Sequence, residues 1–283
     1  FLPSCGHCSY CARGMGNLCD MGAAIMMGPQ IDGTYRFHAR GEDVGQMCLL
    51  GTFSEYTVVP KASLVKVDHG TPLDKAALIG CGVTTGYGSA VRTGDVRAGD
   101  TVVVIGAGGI GMNAIQGARI AGALTIVAVD PVEFKREKAM EMGATHTYSS
   151  IEEAQLAVPD LTWGDMCDAV ILVPGVVTGD MIEPALGLTS KGGTLVVTAI
   201  GNMLQTDAAL NLFMLSMMNK EIKGTIFGSG NPRYDIPALL SMYREGDLKL
   251  DELITNRYPL DDVNKGYQDL RDGKNIRGVL DFT

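Results

Sequence analysis

The most informative hydrophobic pattern lies in the middle of the chain, between Asp100 and Asp130. The run Thr101–Ile105 is apolar and β-branched with almost no polar alternation, which predicts a strand buried in a parallel sheet. Residues 112–121 have the composition of a helix, and a second β-rich run follows at Thr125–Val129. The order of strand, helix and strand predicts the beginning of a doubly wound α/β sheet.

The same alternation continues towards the end of the chain. It predicts strands at 145–148, 169–173, 194–199, 222–227 and 279–282, and helices at 133–142, 178–189, 236–244 and 263–270. Residues 210–218 are apolar on nearly all sides, which predicts a buried helix or a subunit contact with its methionines in the core. Between residues 51 and 67, short apolar runs alternate with turn residues and predict a small antiparallel barrel region.

A glycine motif connects the first predicted strand to its helix. Gly106, Gly108, Gly109, Ile110 and Gly111 belong to a G-x-G-x-x-G sequence, and Asp130 ends the second strand. The first glycine permits the tight turn, the second lets the backbone approach a pyrophosphate, and the third lets helix and strand pack closely. An acid at Asp130 can accept from ribose hydroxyls and would repel a 2′-phosphate. The motif alone is weak evidence, but the complete arrangement predicts an NAD site.

Four cysteines form the first motif of the chain. Cys5, Cys8, Cys11 and Cys19 have a spacing that suits a tetrahedral zinc site with a structural role, because four thiolates leave no open coordination position. An iron–sulfur cluster is the main alternative. The gap of seven residues before Cys19, and the absence of proline after it, count against the cluster. Cys81, which lies between glycines, could bind a metal, but its spacing alone favours simple packing.

Composition limits the kinds of partner. The 283 residues carry a formal net charge of −9 without a basic run, which makes nucleic acid and anionic membranes poor partners. No run approaches the roughly 20 apolar residues of a membrane span. The odd total of seven cysteines and the lack of a secretory signal predict a reducing, cytoplasmic location. The chain starts at Phe1 within a cysteine pattern, so we expect it to continue a longer sequence.

Together these motifs resemble the zinc-dependent medium-chain alcohol dehydrogenases. The resemblance rests on the four-cysteine lobe, Gly-Cys-Gly-Val-Thr-Thr-Gly-Tyr-Gly-Ser-Ala-Val at 80–91, the glycine motif with Asp130, Gly-Thr-Ile-Phe-Gly at 224–228 and Asn-Ile-Arg-Gly-Val-Leu at 275–280. Within the family, the chain is most similar to the nicotinoprotein enzymes, which hold NAD tightly and pass electrons to a nitroso dye. The resemblance implies a Rossmann domain at 83–226 and a smaller, mostly β, GroES-like catalytic domain at 1–82 and 227–283.

The resemblance also implies roles for single residues. Cys81 matches a ligand of the catalytic zinc, while the four N-terminal cysteines match the structural zinc lobe. Asp130 and Lys135 match residues beside the adenosine ribose, and Arg277 matches a residue at the pyrophosphate. Thr85 and Ile110 fall at positions near the nicotinamide end of the cofactor, and Phe1, Leu50 and Ile226 fall near the alcohol pocket. Ile200 follows the predicted strand 194–199, where a ligand crevice would open, and is expected to bind the cofactor.

One departure from the family changes the expected activity. The other two ligands of the catalytic zinc precede the structural lobe in the family, so the catalytic domain is expected to be truncated at its N-terminus here. We therefore expect an NAD-dependent enzyme that oxidises an alcohol to an aldehyde or ketone, in a form that is inactive as this chain alone. A homo-oligomer, dimer or larger, is expected. The alternatives are a non-catalytic, zinc-stabilised NAD-binding assembly protein and a zinc-independent quinone-reductase-like enzyme.

Overall fold

The computed structural model describes residues 1–282, and the chain divides into two compact units. The first unit comprises Phe1–Thr84, Gly230–Leu270 and Arg277–Thr283, and the second comprises Thr85–Ser229 and Arg271–Ile276. The boundaries drawn from the sequence, after residues 82 and 226, lie two and three residues earlier than these. The sequence also gave no sign that residues 271–276 belong with the second unit.

The helices and strands are numbered here in chain order. The helices are α1 (Ser9–Ala12), α2 (Leu73–Leu78), α3 (Thr84–Gly88), α4 (Gly111–Ala121), α5 (Glu133–Met142), α6 (Ile151–Leu161), α7 (Ile182–Gly187), α8 (Leu212–Met217), α9 (Pro232–Glu245) and α10 (Val263–Arg271). The strands are β1 (Phe37–Ala39), β2 (Glu42–Val44), β3 (Thr101–Ile105), β4 (Thr125–Val129), β5 (His146–Tyr148), β6 (Cys167–Leu172), β7 (Thr189–Val197), β8 (Glu221–Gly224), β9 (Ile254–Pro259) and β10 (Arg277–Asp281).

The second unit is built on one parallel sheet of six strands. The strand order is β5-β4-β3-β6-β7-β8, so the order reverses direction between β3 and β6. In register, Val103 of β3 lies between Val127 of β4 and Val170 of β6. This is the doubly wound order of dinucleotide-binding folds, in which ligands bind outside the carboxyl ends of the strands at the point of reversal. The predicted α/β Rossmann class is confirmed.

The core of this unit explains why its strands appear in the sequence as uninterrupted apolar runs. Val103, Val127, Val170, Leu172 and Leu195 are all completely buried between the helices on the two faces of the sheet. A strand covered on both faces has no polar alternation. Helix α4 ends at Gly122, whose φ of 90° allows its N–H to reach the carbonyls of Ala118 and Arg119.

Two helices of this unit, α6 and α8, differ from what the sequence predicted. Helix α6 was not predicted, although Ser150 and Glu153 give it a recognisable start: the Ser150 hydroxyl accepts from the Glu153 N–H. Helix α8 forms within the predicted range 210–218, but the prediction that it is buried is wrong. Leu212, Phe213 and Met217 are 67%, 67% and 65% exposed, because α8 has only six residues and packs on the core mainly through Leu215.

The first unit has two small strand pairs and several short helical segments. Strands β1 and β2 form an antiparallel hairpin, while β9 and β10 pair in parallel. The prediction of barrel strands between residues 51 and 67 is wrong for the described residues, which contain no strand there. Tyr56, Val58 and Leu64 are 86%, 58% and 58% exposed. An apolar alternation needs a hydrogen-bonded partner strand, and this stretch has none within residues 1–282.

No helix among residues 1–282 has both the length and the apolar character needed to cross a membrane.

Candidate functional site

The four N-terminal cysteines form one cluster. Their Sγ atoms all lie within 4.8 Å of one another, and the sulfurs of Cys5 and Cys11 are 3.9 Å apart. The short helix α1 contributes to this geometry, because Cys8 caps it by accepting a hydrogen bond from the Cys11 N–H. Tetrahedral zinc with Zn–S bonds of about 2.3 Å requires sulfurs about 3.8 Å apart. The donor set fits a zinc ion, and the distance between Cys5 and Cys11 already matches the tetrahedral value.

Backbone amides surround the sulfurs and bias their protonation. Cys5 Sγ accepts from the N–H groups of His7 and Cys8, at 3.5 and 3.3 Å. The hydrogen bond from the Cys11 N–H lowers the pKa of the Cys8 thiol to about 6, whereas burial raises the pKa of Cys19 to about 12. Burial thus favours the protonated form of Cys19, and a bound cation would have to displace that proton. None of the seven cysteines forms a disulfide within the described residues.

The glycine turn joins β3 to α4 in the second unit. Gly106 has a φ of +100°, and a Cβ atom there would lie 2.5 Å from the Val173 carbonyl oxygen. At Gly111 a Cβ would collide with the carbonyl oxygen of Gly106. Gly108 is different: a Cβ there would meet no atom within 4 Å. The turn is therefore closed by backbone at its two ends and open in the middle, where a pyrophosphate would approach.

Asp130 follows β4 and lies beside this turn. Its side chain is buried, with Oδ2 accepting from the Ala107 N–H and Oδ1 accepting from the Val132 N–H, both at 2.9 Å. Each carboxylate oxygen has a further lone pair for a ribose hydroxyl. Lys135 is partly buried in α5, and its Cε atom lies 3.9 Å from the position that a Cβ on Gly273 would take. The free lone pairs of Asp130 beside the glycine turn fit the adenosine half of a nicotinamide dinucleotide.

Thr85 and Ile110, expected near the nicotinamide, and Ile200, expected at the ligand crevice, have different surroundings. Thr85 is buried in α3, and a Cβ on the next residue, Gly86, would collide with the carbonyl oxygen of Ile110. The structure therefore brings Gly86, the residue after Thr85, against Ile110. Ile200 follows β7 with a side chain that is 84% exposed. It lies on the carboxyl side of the sheet, as expected from the sequence, but its side chain makes no packing contribution to the core.

Cys81 and Arg277 are neighbours within the first unit. Cys81 is exposed in a π-helical segment, Ile79–Val83, and a Cβ on Gly82 would lie 2.9 Å from Cζ of Arg277. Burial lowers the pKa of Arg277, and the negative charge available at Cys81 opposes that shift. Within residues 1–282, the four-cysteine cluster is the one group of three or more Cys, His, Asp or Glu side chains arranged to hold a metal ion. Cys81 alone does not fit a catalytic zinc.

Comparisons with known proteins agree with this geometry. The zinc-binding dehydrogenase family matches residues 109–245. The chain is 54% identical over 280 residues to an NDMA-dependent alcohol dehydrogenase of Amycolatopsis methanolica, covering 99% of this chain and 76% of that protein. It is 53% identical over 284 residues to alcohol dehydrogenase B of Mycobacterium tuberculosis, covering 100% and 76%. The chain belongs to the zinc-dependent medium-chain alcohol dehydrogenases.

Solved structures of medium-chain dehydrogenases have the same fold. An alcohol dehydrogenase zinc-binding domain protein from Burkholderia ambifaria superposes with a TM-score of 0.90 at 30% identity, over 98% of this chain and 75% of that one. Benzyl alcohol dehydrogenase from Acinetobacter calcoaceticus gives a TM-score of 0.87 at 26% identity, again over 98% and 75%. The resemblance stated from the sequence is confirmed at the level of family and fold.

Three buried polar side chains of this family member were missed from the sequence. Asn113 is completely buried in α4, where its amide donates to the Gly109 carbonyl at 2.8 Å and so orients the glycine turn. Ser89 and Thr198 are also buried: Thr198 donates to Ser89, and Ser89 donates to the Thr85 carbonyl at 2.7 Å. An amide two residues after the last motif glycine was a readable signal for Asn113. The hydroxyl pair, 109 residues apart, left none.

Proposed function

We propose that this chain supplies the cofactor site and the structural zinc lobe of an NAD-dependent alcohol dehydrogenase, which oxidises an alcohol to an aldehyde or ketone. The observation that supports it most is the buried Asp130 carboxylate, which is fixed by two backbone N–H groups beside a glycine turn that is open at Gly108. When bound, NAD supplies the hydride acceptor and zinc supplies charge stabilisation to the thiolates. Binding and orienting these groups is the task of the chain's own residues.

The cofactor half of the proposal assigns a task to each residue. Asp130 accepts from the ribose hydroxyls and repels a 2′-phosphate, which favours NAD over NADP. Lys135 places a cation beside that ribose, and Gly108 lets the pyrophosphate reach backbone N–H groups. Thr85 and Ile110 support the nicotinamide end. Ile200 and Arg277 complete the proposed set, with Arg277 at the pyrophosphate.

Cofactor binding is the first test of this proposal. The purified protein is titrated with NAD and, separately, with NADP, and the dissociation constants are compared. We expect NAD to bind at least tenfold more tightly, a difference of about 1.4 kcal/mol. Nucleotide released on denaturation shows whether NAD is already held. Equal affinity for NADP would contradict the role of Asp130, and no binding of either would overturn the cofactor site.

The zinc half of the proposal concerns the metal content of the 283-residue polypeptide. Cys5, Cys8, Cys11 and Cys19 would hold one ion, and Cys81 is proposed as one ligand of a catalytic zinc whose further ligands are not found within residues 1–282. We therefore propose that the polypeptide by itself binds one zinc and does not turn over alcohol. Elemental analysis tests this directly. Two zinc ions per chain, or turnover of an alcohol with NAD or NDMA as acceptor, would contradict it.

We also propose that the protein forms a homo-oligomer through the second unit. Strand β8 is the last strand of the sheet, and the exposed Leu212, Phe213 and Met217 of α8 lie on the same unit. An unpaired strand edge and a group of exposed apolar side chains favour association with a second copy. Light scattering during gel filtration measures the mass. A monomer at micromolar concentration would contradict this proposal.

The cytoplasmic location also remains a prediction, and the reduced thiols that zinc requires support it.

A further inference from the structure

The first turn of α9 contains a residue that its helix does not favour. Arg233 follows Pro232 at the start of α9, where the N–H groups give the helix a partial positive charge. A cation there is unfavourable, whereas Asp235 in the same turn follows the rule and accepts from the Asn231 N–H at 2.6 Å. The reason for an arginine at this position must therefore lie outside the helix.

Arg233 contacts the segment that begins the four-cysteine lobe. Its Nε and Nη2 atoms both donate to the Ser4 carbonyl oxygen, at 3.1 and 2.7 Å. The third nitrogen, Nη1, lies 3.8 Å from where a Cβ on Gly6 would stand. The guanidinium thus spans the residues on either side of Cys5 and holds the backbone that presents this sulfur.

Ser4 transmits this contact to other parts of the lobe. It is 3% exposed, its N–H donates to the Ala62 carbonyl at 2.8 Å, and its hydroxyl lies 3.7 Å from Cys11 Sγ. The same hydroxyl also lies close to Gly16. A Cβ added at Gly16 would be 3.0 Å from the Ser4 Oγ and 3.1 Å from Oδ1 of Asn231. The N-terminal end of α9 and the cysteine loop therefore pack directly against each other.

The charge of the lobe gives Arg233 a second task. Four thiolates around one zinc ion carry a net charge of −2, which needs nearby hydrogen-bond donors and cations. The amides of His7, Cys8 and Cys11 supply donors, but they carry no full charge. Arg233 and the positive end of α9 lie on the lobe, whereas Arg13 stands over the Tyr10 ring at 5.0 Å and binds the Ser9 carbonyl.

We propose that Arg233 is a positioning residue and counter-charge for the tetrathiolate lobe, and that it slows the release of its zinc. The inference rests on the zinc assignment made under the proposed function. The fork on Ser4 fixes the segment that carries Cys5, and the positive charge offsets part of the negative charge on the four sulfurs. Removing either contribution should make the ion easier to extract.

The test measures zinc transfer to a chromophoric chelator from the full chain. R233M removes both the hydrogen bonds to the Ser4 carbonyl and the positive charge, whereas R233K keeps the charge. R13M is the matched control in the same lobe. At low ionic strength we expect R233M to release zinc about tenfold faster than wild type, as is typical when a partner of metal ligands is lost. R233K should be intermediate, and R13M should match wild type. In about 1 M salt, R233K and R233M should converge, because salt screens the charge.

The outcomes separate this inference from the zinc proposal. Wild-type protein without zinc would overturn the zinc assignment itself. Zinc-loaded wild type with unchanged release in R233M would overturn the inference alone, and R233K behaving like R233M at low salt would overturn the counter-charge. NAD affinity serves as the control for folding of the second unit. If R233M does not fold, R233K is compared with wild type, and zinc release equal to that of wild type at low and at high salt would overturn the positioning role.

Discussion

Two glycines of the same turn are expected to respond in opposite ways to one added methyl group. In G106A, the new Cβ would lie 2.5 Å from the Val173 carbonyl oxygen, on a backbone with a φ of +100°. Such a backbone costs a residue with a side chain roughly 1–3 kcal/mol, and overpacking adds roughly 1–3 kcal/mol. In G108A, the Cβ meets nothing within 4 Å, so the fold should not be destabilised.

The expected magnitudes follow from this contrast. G106A should lower the free energy of unfolding by about 2–6 kcal/mol, a large part of the total for a domain. G108A should leave it unchanged or raise it by up to about 1 kcal/mol, because alanine restricts the unfolded chain. The same methyl group would stand where the pyrophosphate approaches. NAD binding to G108A should therefore weaken by about 1–3 kcal/mol, or roughly 5- to 150-fold.

The assay needs both stability and affinity from the same protein samples. Urea unfolding without cofactor is followed by far-UV circular dichroism, because the single tryptophan, Trp163, is 97% exposed and would report little. NAD affinity is measured by titration calorimetry. If G108A binds NAD like wild type, Gly108 is not at the pyrophosphate. If G106A is as stable as G108A, the packing argument for the turn is refuted.

Three further predictions concern other groups. In D130N, the new NH₂ must face the N–H of either Ala107 or Val132, so we expect a loss of about 1–3 kcal/mol in unfolding free energy and a smaller preference for NAD over NADP; unchanged urea midpoints would contradict this. Arg257 and Lys75 lower the pKa of Asp74 to about 2. D74N should therefore lower the free energy of unfolding by about 1 kcal/mol at pH 7. This difference from wild type should shrink as the pH falls from about 4 towards 2, because Asp74 becomes protonated. A pH-independent difference between the unfolding curves would refute the ion-pair explanation. C5S should reduce the zinc content of the purified chain to below one ion per molecule, and a full complement of zinc would contradict the cluster.

The second unit was predictable because burial on both faces leaves an unambiguous signal. Thr101–Ile105 and Thr125–Val129 appear as continuous apolar runs, and the structure contains both strands with these bounds. The glycine motif and Asp130 were predictable from their spacing, because the chemistry of a dinucleotide fixes the distance between turn and acid. The grouping of the four cysteines followed from local spacing in the same way.

The failures came from contacts that no local pattern encodes. Between residues 51 and 67, the alternation predicted strands, but pairing depends on a partner strand rather than on the stretch itself. For helix α8, apolar composition predicted either a buried helix or a subunit contact, because composition does not say which surface covers a helix. Arg233 lies 229 residues from Ser4, so its contact with the cysteine lobe could not be foreseen. Ser89 and Thr198 were missed for the same reason.

The hydrogen bond between Ala107 and Asp130 has a consequence for redesigning cofactor preference. Exchanging the acid after β4 for a smaller or basic residue is the obvious way to admit a 2′-phosphate. Here the same carboxylate is also a brace for the turn, since its Oδ2 holds the Ala107 N–H inside the glycine motif. A substitution of Asp130 would therefore change both the cofactor selectivity and the geometry of the turn. A successful exchange would have to supply a replacement acceptor for Ala107 along with the new phosphate-binding group.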